Sequence, residues 1–247
     1  MTRWIPLIAG AALLLAGCSS TAPSGAAPAA AGTTTCTYTA SGEAAKKVDV
    51  PPTAASTVGV ATLTVNMSGG AVTVTGDRSR TPCTLNALES LAKQGYFDGT
   101  ECHRLADAGM QMIQCGDPTA TGRGGPGFRF ADETDPDMTY PAGTVAMANA
   151  GPDTNGSQFF IVYGDTQLPP DYTVFGKVDA ASLKVIEKMA AAGHDNSYGD
   201  GTGRPLGPFK IESVTVAMPW LPMNRILCSP IMSASRSPSS ASTAGPV

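Results

Sequence analysis

The sequence predicts a mainly β fold, a β-barrel with helices closing its ends, set between terminal segments that carry no folding pattern. Three observations lead there. Apolar clusters at 102–105, 110–115, 128–130, 144–148, 158–163 and 173–178 alternate with Gly, Pro and Asp turns, the spacing of short strands in a closed or sandwiched sheet. Only two stretches, after Thr81-Pro82 and over 180–192, carry a helical repeat. A length of 247 residues suits one domain of ordinary size with appendages.

The chain opens as a secretory signal over 1–17. Arg3 supplies its positive charge, and Trp4 to Ala16 is an apolar run too short to span a bilayer as a mature helix. Leu15-Ala16-Gly17-Cys18 resembles a bacterial lipobox, which implies cleavage before Cys18, lipid on its thiol and amine, and an extracytoplasmic product anchored to the cell membrane. Residues 18–35 then lack bulky apolar side chains and read as a flexible tether, since they bury too little surface to offset their ordering entropy. Residues 36–57, with Lys46-Lys47 and Pro51-Pro52, read as an irregular lead-in to a domain over 58–216.

Within that domain, Val58 to Asp77 alternates β-branched and small residues around Gly69-Gly70, a hairpin whose turn needs positive φ. Thr81 is placed to cap a helix with Pro82 at its first position; Leu85, Leu88 and Leu91 give it one apolar face and Gly95 stops it. The strand-like clusters follow. A second helix over 180–192 puts Leu183, Ile186 and Met189 on one face before Gly193, and Ile211 to Val216 reads as the last strand. Residues 217–247 sustain no period and read as a disordered tail, with Trp220, Leu221 and Ile226 apolar enough to dock on the domain.

A formal net charge of −4 with no basic stripe argues against nucleic acid as a partner. Of six cysteines, Cys18 is assigned to lipid and Cys228 lies in the tail. Cys36, Cys83, Cys102 and Cys115 invite disulfides in an exported chain, and three pairings are open. Zinc is the weaker alternative, because the four contain no CxxC pair and His103 is the only histidine near them.

Chemistry concentrates in Tyr140 to Phe160. There Gly143, Ala146, Ala148 and Ala150 leave the backbone approachable by an extended ligand, and Gln158 and Phe160 share one face of a strand. Together with His103-Arg104, Gln114-Cys115-Gly116-Asp117-Pro118, GRGGPG at 122–127, Met147 to Gly151, NGSQFF at 155–160 and VFGKV at 174–178, this stretch resembles the cyclophilin family of peptidyl-prolyl cis-trans isomerases. The wording is closest to exported actinobacterial members, and the resemblance runs from about Val60 to Val216. It implies a closed eight-stranded antiparallel β-barrel capped by two α-helices. In that fold Cys102 and Cys115 fall on adjacent strands, which implies a Cys102–Cys115 bridge and leaves Cys36 and Cys83 as the other pair.

The activity so implied suits the residues. Rotation about an X-Pro bond meets a barrier of ~18–20 kcal/mol from amide resonance. A catalyst therefore needs no nucleophile, metal or cofactor, only a donor favouring a pyramidal proline nitrogen and a site fitting the twisted amide. By resemblance Arg104 is that catalytic donor, Gln114 and Gln158 fix the peptide backbone, and Asn149 offers main-chain groups to it. Met112, Phe160 and Leu168 form the apolar floor for the proline ring, with Tyr172 on the rim. Asp107 offers Arg104 a competing surface ion pair, and His103 reads as a hydrogen-bonded structural residue, because bond rotation transfers no proton.

Three departures from the family pattern stand out. The stretch between Arg104 and Gln114 is about two residues longer than usual, Gln111 or Met110 replaces an aromatic beside the pocket, and QLPPDY at 167–172 lacks the rim tryptophan. Because the resemblance assigns that tryptophan to cyclosporin recognition, weak cyclosporin binding is expected. The reading is a monomeric isomerase acting on proline-containing segments of exported proteins. Its alternatives are a catalytically weak proline-peptide-binding chaperone or scaffold and a structural envelope lipoprotein using its tail as an anchor.

Overall fold

The computed structural model describes residues 32–217. The signal segment, Cys18, most of the tether and the tail beyond Ala217 lie outside the described residues. In chain order the elements are β1 (Thr33–Thr35), β2 (Thr39–Ala40), β3 (Ala54–Ser56), β4 (Val60–Met67), β5 (Gly70–Asp77), α1 (Pro82–Lys93), β6 (Thr100–Glu101), β7 (Arg104–Ala106), β8 (Met112–Cys115), β9 (Phe128–Arg129), β10 (Thr144–Met147), β11 (Phe159–Val162), β12 (Val174–Val178), α2 (Ala180–Ala190), β13 (Thr202–Gly203) and β14 (Lys210–Val216). Among the described residues, no helix is long and apolar enough to cross a membrane.

Ten of these strands form one curled antiparallel sheet in the order β13-β7-β8-β11-β10-β12-β5-β4-β14-β6. The expected eight become ten because β13 is a two-residue arm on β7, and because one strand is broken into β6 and β7 at Cys102-His103. The Cys102 N–H donates to Phe209 O at 2.8 Å and the His103 N–H to Gln114 O at 3.1 Å. One kinked segment therefore touches β14 on one side and β8 on the other. The named ladders end at β13 and β6, so they describe a curled sheet and not a completed barrel.

The strands form where the period is 2. β4 alternates exposed or half-buried residues with buried Ala61, Leu63, Val65 and Met67, and β5 answers with buried Val72 and Val74, paired from Val60↔Asp77 to Met67↔Gly70. The turn is thus Ser68-Gly69, one residue earlier than expected. A Cβ at Gly69 would sit 2.4 Å from Met189 Sδ of α2, so a larger residue there would have to push that flexible side chain aside.

Both helices start where expected but are capped differently. Thr81 does not cap α1, and its buried hydroxyl has no partner. Glu133 does so from a distant loop, accepting from the Cys83 and Thr84 N–H groups at 2.9 Å each and from the Thr84 hydroxyl at 2.7 Å. In α2, Asp179 caps by accepting from Ser182 N at 2.7 Å. Buried Ser182 takes the inward place expected of half-buried Leu183, because its hydroxyl accepts the Thr73 N–H of β5 at 2.9 Å.

The N-terminal segment departs furthest from expectation. Thr33–Thr35, read as tether, pairs with β3, and β2 pairs with β9. The lead-in is latched to the domain: Cys36 is disulfide-bonded to Cys83, and the Tyr38 hydroxyl donates to Cys83 O at 2.9 Å. The Tyr38 ring meets Phe128 and Phe130 edge-on at 5.5 and 5.8 Å. A second disulfide joins Cys102 to Cys115.

Apolar side chains collect in two clusters. The larger fills the inside of the curled sheet, with Leu85, Leu88 and Leu91 of α1 packed among Leu63, Val74, Phe97 and Ile161. The smaller, of Ala106, Met112, Tyr140, Ala146, Phe160 and Val162, lies on the other face of β7, β8, β10 and β11. Its members are buried, and half-buried Met110, Leu168 and Tyr172 pack over them, so it is a satellite of the main core on the outer face of the sheet.

Candidate active site

Strand register builds the site. Arg104 pairs with Gln114, Gln114 with Phe160 and Phe160 with Ala146, a single row across four strands. One pleat on, Ala106, Met112 and Val162 form a second row. Period 2 aims both rows outward while Leu105, Ile113 and Ile161 point into the core. Arg104 thus borders an apolar floor in which Met112 and Phe160 are 4% exposed each. Half-buried Leu168, Tyr172 and Met110 rim it.

The Arg104 side chain makes no ion pair or hydrogen bond among the described residues. The competing partner is taken, as Asp107 pairs with His194 Nε2 at 3.0 Å. The guanidinium, carrying five donors, is therefore available to a ligand.

The two glutamines divide their roles. Gln158 donates its amide hydrogens to Gly122 O at 3.0 Å and Gly124 O at 2.9 Å, and its Oε1 accepts from Gln114 Nε2 at 2.8 Å. Its amide is spent on holding neighbours, so Gln158 positions Gln114, whose Oε1 stays free for a peptide N–H. The loop that Gln158 grips is organised by Asp117, which is fully buried. Its carboxylate accepts from the N–H groups of Thr119, Thr121, Gly122 and Gly124 at 2.7–3.1 Å. Burial by itself would raise the Asp117 pKa, but the Thr119 hydroxyl and these N–H groups together hold it below the ordinary value. Gly124 is obligatory there, since a Cβ would lie 1.9 Å from Asp117 Oδ1. Gly122 and Gly124 of GRGGPG thus complete, with Thr119 and Thr121, a cage for an internal carboxylate.

Asn149 directs its side chain inward, donating to Asp171 O at 2.9 Å. Its main-chain N–H and C=O carry no partner among the described residues, as an extended ligand requires. The neighbouring Ala148 N–H is taken by Gln158 O at 3.0 Å. Tyr172 donates its N–H to the Tyr140 hydroxyl at 3.0 Å, and the Tyr140 hydroxyl donates to Tyr172 O at 3.0 Å. Sequence reasoning missed Tyr140, which packs at 6.2 Å from both Phe160 and Tyr172. A lone tyrosine ahead of a Pro-Ala-Gly turn gives no periodic signal. At the place of the missing aromatic, Met110 packs on the floor while Gln111 folds over Gly164.

His103 is not hydrogen-bonded as expected. Its ring is buried with neither nitrogen partnered. Burial lowers its pKa first; Asp117 opposes this, and Arg104 and Arg204 add to it.

Two depressions meet at Gln114 and Gly122. One of ≈ 480 Å³ runs from Arg104 past Met110 to Tyr198. The other, of ≈ 630 Å³, runs from Ala148 and Asn149 along the Gly-rich loop to Ser41, Gly42 and Glu43. No group of His, Cys, Asp and Glu arranged to hold a metal occurs among the described residues. Apolar floor, free guanidinium, free Gln114 oxygen and free Asn149 backbone together suit an extended peptide with one ring-shaped apolar residue.

Comparison with known proteins agrees. Residues 62–216 match the family "Cyclophilin type peptidyl-prolyl cis-trans isomerase/CLD". The chain is 42% identical over 195 residues to the probable peptidyl-prolyl cis-trans isomerase B of Mycobacterium leprae, covering 72% of this chain and 65% of that protein. It is 43% identical over 187 residues to the Mycobacterium tuberculosis counterpart, covering 70% of this chain and 60% of that one. The chain thus spans less than two thirds of the length of either relative. A solved cyclophilin-type isomerase of Cryptosporidium parvum superposes with a TM-score of 0.58 at 29% identity, covering 65% of this chain and 99% of that one. A second structure of that protein, obtained in the presence of the dipeptide Ala-Pro, gives 0.57 at 30% identity.

Proposed function

The chain belongs to the cyclophilin-type peptidyl-prolyl cis-trans isomerases, and on that premise we propose that it accelerates X-Pro rotation in exported or envelope proteins and so assists their folding. The observation that carries the reading is the row of Arg104, Gln114 and Phe160, with the guanidinium unpaired beside an apolar floor. In the mechanism, the proline ring seats on Met112 and Phe160. Gln114 Oε1 and the Asn149 backbone hold the chain on one side of the prolyl bond. The Arg104 guanidinium donates toward the prolyl nitrogen as it becomes pyramidal, lowering the energy of the twisted amide relative to the planar one. No proton is transferred and no covalent intermediate forms.

The exported setting is supported by the signal-like segment ending at Cys18 and by two disulfides within the domain, which suit an oxidising compartment. The partners proposed are proline-containing segments of exported chains, met by a monomer held at the cell membrane through a lipid on Cys18. Metabolic labelling with a radiolabelled fatty acid, lost in Cys18→Ala, checks the anchor.

Exchange NMR on an Ala-Pro peptide tests the activity. The purified protein should accelerate cis-trans exchange, and Arg104→Ala should lower kcat/KM by about 10²–10³, the usual effect of removing one transition-state donor. A folded protein that binds the peptide without accelerating exchange would leave the proline-peptide-binding module instead.

A further inference from the structure

The segment that precedes the family-matched residues supplies one wall of the ligand groove. The family match begins at residue 62, yet Ser41, Gly42 and Glu43 line the ≈ 630 Å³ depression together with Ala148 and Asn149. Their position is fixed on both sides. The Ser41 N–H donates to Gly127 O and the Ala45 N–H to Gly125 O, at 2.9 Å each. Strand β2 pairs with β9, and Cys36 is bonded to Cys83. The wall is therefore a permanent part of the site.

Charge is distributed unevenly around it. Arg123 comes from the Gly-rich loop, Arg129 from β9 and Glu43 from the wall, all three exposed and lining the same depression. None of them forms an ion pair among the described residues. The opposing groups thus sum to one positive charge, and guanidinium groups bind carboxylates in a planar, two-pronged geometry.

We infer that the wall formed by residues 41–43 makes this end of the groove a specificity subsite, in which Arg123 and Arg129 select client segments carrying an acidic side chain a few residues from the proline. Glu43 limits that preference by repelling the same carboxylate. The inference deepens the proposed isomerase reading by naming the class of sequence the site takes.

The test uses two otherwise identical Ala-Pro peptides, extended so that a Glu or a Lys reaches the wall, followed by exchange NMR with the full chain in low salt. The Glu peptide should be favoured about fivefold in kcat/KM. The ratio should fall to about one in Arg123→Ala/Arg129→Ala, invert in Arg123→Glu/Arg129→Glu, and rise in Glu43→Gln. Equal rates for the two peptides in wild type, or a ratio indifferent to these substitutions, overturns the inference while acceleration of the unextended peptide still upholds the isomerase. If no peptide exchanges faster, the isomerase reading fails. The chemical-shift titration in the same spectra then reports the Glu-to-Lys affinity ratio, and a ratio of one overturns the subsite.

Discussion

His103 precedes Arg104, its N–H bonded to Gln114 O and its ring in a place that satisfies neither nitrogen. Burial disfavours its charged form, so its pKa in the fold lies below that in the unfolded chain, about 6.5. The associated stability is complete above about pH 6.5 and is lost as the pH falls below it, because only the unfolded chain takes up the proton readily. Replacing a buried, unpartnered polar group by an apolar one of similar size is close to neutral. His103→Leu should accordingly hold its urea midpoint at pH 8 and flatten the decline expected of the wild type between pH 6.5 and 5. A loss above ~2 kcal/mol at pH 8 would reveal a partner for the ring. Asp117 behaves oppositely under substitution. Its depressed pKa places its contribution above about pH 4. Asp117→Asn turns an acceptor of four N–H groups into a group that also donates, at a cost of ~2–4 kcal/mol. The same variant should release Gly122 and Gly124 from Gln158 and so weaken peptide binding.

Helix α1 shows at the element scale why some of the fold is legible and some is not. Its start, apolar face and stop follow from neighbouring residues: Pro82, the Leu85, Leu88 and Leu91 stripe, and Gly95. Its cap does not, because Glu133 lies 49–50 residues away and reaches the helix only once the loop before β10 is in place. Glu133→Gln keeps one acceptor but removes the charge at the helix N-terminus. Thermal unfolding should show a loss of ~1–2 kcal/mol, with isomerisation unchanged. A neutral result would mean that the Thr81 hydroxyl takes over the cap. The same contrast runs through the site. Arg104, Gln114 and Phe160 were legible from their motifs, and the alternation of β7, β8 and β11 places them in one row. The roles of Gln158 as a brace, of Tyr140 as a wall and of Ser41 to Glu43 as a rim depend on contacts distant in sequence. Strands as short as β1, β2 and β3 carry too few residues for a period to show.

Across the whole molecule the two disulfides act at different distances from the chemistry. Cys102–Cys115 ties the kink before Arg104 to the residue after Gln114, within a separation of 13 residues. Cys36–Cys83 closes a separation of 47 residues and fastens the N-terminal wall to the start of α1. Loop-closure entropy assigns about 3 kcal/mol to the first and about 4 kcal/mol to the second. The longer loop is also fastened by the Tyr38 bonds and by Asn86 donating to Pro52 O at 2.7 Å. Cys36→Ser/Cys83→Ser should therefore lower global stability by up to about 4 kcal/mol without unfolding the domain. Hydrogen exchange should accelerate in β1, β2 and β3 while β4 and β5 stay protected, because the hairpin is held by β12 and β14 and not by the wall. Uniform acceleration through β4 and β5 would show that the N-terminal segment is part of one cooperative unit with the sheet and not a wall latched onto it.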